Sequence, residues 1–82
     1  MIAFTYNDGK SVLIADYVYT GNLEGVVVEI FQPHTKGARA YSCYNTGGVL
    51  IEERNKGGDK GLILFTSLDD EEDVLLLSRG KE

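Results

Sequence analysis

Short apolar runs recur along the chain, each closed by glycine or by a polar turn. Residues 2–6, 12–19, 26–32, 39–44, 49–54, 62–67 and 74–78 are rich in Val, Ile, Leu, Tyr and Phe, and ten glycines punctuate the sequence. Runs of this length and spacing predict an all-β fold. The connections are too short for crossovers, so successive strands pair as antiparallel neighbours. We expect a single domain over residues 1–82, a small antiparallel β-barrel or meander of about six to seven short strands.

The turns follow from local chemistry. Asn7-Asp8-Gly9-Lys10 joins two strand-like runs, and Gly9 supplies the positive φ of a tight hairpin. Asn45-Thr46-Gly47-Gly48 reads as a second hairpin. Residues 55–61 form a longer loop whose three glycines predict mobility. Pro33 ends the strand before it, because proline donates nothing to a ladder.

The segment around Ser67 admits two readings. Ser67 caps a helix in one, with Asp69 and Asp70 in its first turn. Against this, Val74, Leu75, Leu76 and Leu77 are consecutive and would point all round a helix. At most one short helical turn near 68–73, leading into a buried strand at 74–78, fits better.

The strands carry more apolar surface than one small core uses. In 12–19 one face holds Leu13, Ala15, Tyr17 and Tyr19, and the other holds Val12, Ile14, Asp16 and Val18. Strands apolar on both faces are expected where both faces are covered. An 82-residue chain has little material to cover them, so a homodimer is expected.

Charge sharpens the picture at one place. The chain carries 13 acidic and 8 basic residues, a net charge of −5. Asp69, Asp70, Glu71, Glu72 and Asp73 account for all of that imbalance. The remaining bases are too scattered to track a phosphate backbone, which argues against direct nucleic-acid binding. No apolar stretch reaches the ~20 residues of a membrane-spanning helix. The single Cys43 excludes an intramolecular disulfide and indicates a reducing, cytoplasmic setting. The first six residues read as a strand and not as a signal segment.

The stretch from Gly21 through Leu23, Glu24, Gly25 and Val26 to Ile30, a Gly-x-x-x-Gly turn followed by valines, resembles the KOW-type turn of small Src-homology-like β-barrels. The segment from Ser67 to Ser78 is similar to the short helical turn and last strand of such barrels. The resemblance covers about half of the chain. It implies a small barrel that binds RNA, ribosomal components or protein partners. Glu24 and Glu29 stand where nucleic-acid-binding members carry basic residues, and the N-terminal hairpin is an addition.

Candidate chemistry is sparse. His34 lies in a polar loop without an adjacent nucleophile or orienting carboxylate. Cys43 reads as a small apolar strand residue, with Arg39 as its nearest cation along the strand. Gly57, Gly58, Lys60 and Gly61 lack the Ser/Thr and the helix of a phosphate loop. Counted from Asp69 as a calcium loop, the sixth position is Val74 and the twelfth is Gly80, which fails the pattern. We expect no enzyme activity, no metal and no cofactor. The partner-binding candidates are Tyr17 and Tyr19, since tyrosine is favoured at interfaces, and the acidic residues 69–73, which would steer the chain onto a basic partner. The expected function is a self-associating protein-interaction module or accessory subunit. The alternative is an acidic, DNA-mimic-like inhibitor of a nucleic-acid-binding protein.

Overall fold

The β-branched and aromatic runs form five strands in the computed structural model of the chain. The structure describes residues 3–21, 23–54, 58 and 60–80. The elements are β1 (Tyr17–Tyr19), β2 (Glu24–Phe31), α1 (Lys36–Ala40), β3 (Gly48–Arg54), β4 (Lys60–Phe65) and β5 (Leu75–Ser78). All pairings are antiparallel, in one sheet ordered β4-β3-β2-β1-β5. The fold is all-β as expected. Among the described residues the strands number five, not six to seven, and the sheet is open, with β4 and β5 at opposite edges. Among the described residues no helix is long and apolar enough to cross a membrane.

Three expected strands turn out differently. Ile2 lies outside the described residues, and the N-terminal run makes only a single bridge, Thr5 with Ser11, around the tight turn at Gly9 (φ 88°). The run at 12–19 breaks in its middle. The Asp16 carboxylate accepts the Leu13 N–H at 2.9 Å, the Asp16 N–H donates to the Leu13 carbonyl, and Ala15 is driven to φ 77°. A side chain that captures a backbone donor three residues earlier closes a turn in place of a straight strand. Only Tyr17–Tyr19 remains in the sheet.

The predicted strand at 39–44 is a helix and a turn. Thr35 caps α1, its hydroxyl oxygen accepting the Ala38 N–H at 3.2 Å while its O–H donates to the Gln32 carbonyl. Ser42 then takes φ 61° and the Cys43 N–H returns to the Ala38 carbonyl. The turn at 45–48 accordingly joins this segment to β3 and is not a hairpin between strands. Its Gly47 has φ 68°, and a Cβ there would strike the Phe31 carbonyl oxygen and sit 3.0 Å from Pro33. Gly47→Ala should destabilise the fold by at least about 2 kcal/mol, seen as a lower urea midpoint with an unchanged slope.

The sheet sandwiches its core unevenly. The inner face presents Val18, Val27, Val49 and Ile51, which are covered by Phe4, Tyr6 and Val12 of the N-terminal hairpin and by Leu68 and Val74 of the turn before β5. The acidic segment is that turn, with the Glu71 N–H donating to the Leu68 carbonyl and the Val74 N–H to the Glu71 carbonyl. The expected buried strand is buried on one side only: Val74 is buried and Leu76 packs against the core, whereas Leu75 and Leu77 stand on the other face and are half exposed.

Candidate interaction surface

Register assigns the side chains to faces, since residues paired across a ladder share one. The outer face runs in rows across the sheet. Lys60, Arg54, Glu24, Tyr19 and Leu75 form one row, and Leu62, Glu52, Val26, Tyr17 and Ser78 the next. Beyond a bulge at Val28 come Leu64, Leu50 and Glu29, then Gly48 and Phe31.

The segment carrying α1 covers one end of this face. A Cβ on Gly37 would meet the Phe31 ring at 2.8 Å, and one on Gly48 would meet Leu64 at 2.9 Å and the Cys43 sulfur at 3.4 Å. Small residues at 37 and 48 therefore let helix and sheet approach closely. Ala38, Cys43 and Leu50 are buried there, a second small core. Tyr41 stacks on Phe31, with centroids 4.7 Å apart. Arg39 lies 4.7 Å over the Tyr44 ring, and His34, at φ 65°, meets that ring edge-on at 5.1 Å. His34 thus belongs to an aromatic packing cluster, and Cys43 is buried beside Gly48. Cys43 does not alternate along a strand with Arg39 as expected.

The other end of the outer face is uncovered. Tyr17, Tyr19, Leu75 and Leu77 stand on the β1–β5 side, with the leucines each 52% exposed. Leu62 stands alone on the β4 side at 60%. Between them lie Glu24, Glu52 and Arg54, with Arg54 3.6 Å from the Glu52 carboxylate. Tyr17 separates two concavities. A cleft of about 640 Å³ is lined by Lys10, Tyr17 and residues 76–80, and a pocket of about 200 Å³ lies between Tyr17, Val26 and Arg54.

A buried polar knot holds this surface in place. The Asp16 carboxylate oxygen Oδ2 accepts from the Tyr6 hydroxyl (2.7 Å), the Leu13 N–H (2.9 Å) and Arg79 Nη1 (2.8 Å). Arg79 also donates to the Ser11 carbonyl. The knot ties the N-terminal hairpin, the turn before β1 and the end of β5 together. Burial, and then the hydrogen bond to Asp16, hold the Tyr6 phenol far above its ordinary pKa. The sequence displays Asp16 on an otherwise apolar strand face, which is the one local sign of such a group.

The candidate residues named from sequence fall in two places. Tyr17 and Tyr19 share the uncovered outer face. The acidic residues 69–73 form a separate turn, where Asp69, Asp70, Glu72 and Asp73 are exposed and Glu71 is partly buried. Asn7 Nδ2 donates to the Asp69 carbonyl and Ser67 Oγ to Asp70, so the turn is pinned to the N-terminal hairpin. The glycine loop at 55–61 lies largely outside the described residues. Among the described residues no cluster of three His, Cys, Asp or Glu side chains is placed to hold a metal ion. No family model, no curated protein and no solved structure matches the chain.

Proposed function

We propose that this chain is a non-enzymatic protein-interaction module that associates with itself and docks a protein partner through the uncovered half of its outer face. The observation that carries this reading is the set Tyr17, Tyr19, Leu62, Leu75 and Leu77, all exposed on a sheet whose other end is covered. Tyrosine and leucine on either side of a stripe of Glu24, Glu52 and Arg54 give a mixed apolar and polar surface, as protein interfaces have. The alternative, an acidic inhibitor docking through residues 69–73, has the exposure of that turn in its favour. The same turn, however, places Leu68 and Val74 in the core, and that accounts for its position without a partner.

Light scattering on the eluting chain tests the reading. The mass should rise from 9.0 kDa towards twice that value as concentration increases into the high micromolar range. A monomer at every concentration would sink the self-association.

A further inference from the structure

The two edges of the sheet are built differently. β5 is four residues long, carries a bulge at Leu77, and runs directly into Arg79 and Gly80. Short, irregular, charge-flanked edges resist pairing with other strands. β4 is charged only at its start and is neither short nor irregular. It is six residues long, pairs with β3 in unbroken register, contains no proline, and bears one charge, Lys60, at its very start. Among the described residues it is hydrogen-bonded to the sheet along one side only. Leu62, the most exposed large hydrophobic side chain among the described residues, sits in the middle of it.

We infer that β4 is the self-association edge: it pairs antiparallel with β4 of a second copy about a twofold axis through Ile63, merging two five-stranded sheets into one. This rests on the self-association proposed above and assigns its site. The register follows from face parity, because paired residues must share a face. An axis at Ile63 sets Leu62 against the partner's Leu64 on the outer face, and Gly61 against the partner's Phe65 on the inner face. Lys60 then falls opposite the partner's Thr66, outside the apolar centre. An axis at Leu62 would instead set Lys60 against the partner's Leu64, and an axis at Leu64 would lose pairs at the end of the strand. The sequence of β4 is thus its own complement, as a twofold contact requires.

The axis stands perpendicular to the sheet, so both outer faces point the same way. The two uncovered halves become one continuous surface carrying two copies of Tyr17 and Tyr19. An edge contact of this length is small, which places the dimer among weak, concentration-dependent associations.

Leu62→Lys copies a device by which natural edges avoid pairing. Because Leu62 is exposed, the variant should melt as the unsubstituted chain does while its mass stays at 9.0 kDa. Tyr17→Lys, on the far side of the same face, should keep the dimer. A Leu62→Lys chain that still dimerises, or a Tyr17→Lys chain that does not, overturns the β4 assignment while leaving self-association standing. A monomeric unsubstituted chain overturns both. If Leu62→Lys were to unfold, amide exchange on the unsubstituted chain decides: residues 61–65 must gain protection with concentration, and concentration-independent exchange there rejects the edge pair.

Discussion

Asp16→Ala is expected to destabilise the chain by about 3–5 kcal/mol, the cost of removing one member of a buried charged network. A domain of this size has roughly 4–12 kcal/mol in total, at 0.05–0.15 kcal/mol per residue, so the variant should be marginal at room temperature. Asp16 is 1% exposed, and a single carboxylate oxygen satisfies three donors. Without it the buried Tyr6 hydroxyl is stranded in the interior, the part-buried Leu13 N–H loses its acceptor, and Arg79 loses its anion. Tyr6→Phe removes one donor and leaves the carboxylate paired with the other two, so its cost should be smaller, about 1–2 kcal/mol. Chemical denaturation of both variants checks the order.

The same knot sets an alkaline limit. In the unfolded chain the phenol ionises near roughly pH 10, whereas the folded phenol holds its proton well above that. Above that pH the unfolded state binds fewer protons than the folded state. Stability from this group is therefore full below about pH 10 and falls as pH rises, by at most about 1.4 kcal/mol per pH unit. Tyr6→Phe should flatten this limb of the stability–pH curve. An identical slope in the variant would show that Tyr6 is not the group responsible.

Ile51→Ala should cost about 2–5 kcal/mol, through lost burial and the cavity left behind. Ile51 is wholly buried at the centre of β3, paired with Val27 on one side and Ile63 on the other. Leu62→Ala, one strand away but facing outward, should change monomer stability by no more than about 0.5 kcal/mol. The contrast reads directly on which face is core. Comparable losses for the two would mean that the outer face is packed within a single chain. Urea midpoints with unchanged slopes provide the comparison.

How far local pattern reveals this fold depends on where each residue's partners lie. β2 and β3 are legible because their long runs of valine, isoleucine and leucine are closed by Gly21, Pro33 and Gly47. The end of the chain is legible too, since four successive apolar residues cannot keep one face of a helix. α1 is not. Its five residues are too few for a helical period, and Tyr41 and Cys43 alternate as strand residues do. What bends that segment is the Thr35 cap together with positive φ at His34 and Ser42; histidine is enriched in that conformation but adopts it seldom, and serine gives no sign of it. The break at Asp16 is hidden for a different reason. Its partners Tyr6 and Arg79 stand 10 and 63 residues away, so no window along the chain contains the knot.

The outer face was legible in part. Apolar residues on both sides of the 12–19 run imply surface in excess of one core, and Tyr17 and Tyr19 do stand uncovered. That the α1 segment covers the opposite end, leaving Leu62 isolated, depends on close approach at Gly37 and Gly48. Glycine in a sequence does not say what fills the space it leaves.

The β4 edge pairing we propose completes an open sheet with a second copy. Residue-resolved amide hydrogen exchange at low and high protein concentration tests it most directly. Amides within residues 61–65 should gain protection as concentration rises, while those of the hairpin at 5–11 and the turn at 68–74 exchange at unchanged rates. Exchange in β4 that is independent of concentration, or protection that appears only on β5, would contradict it.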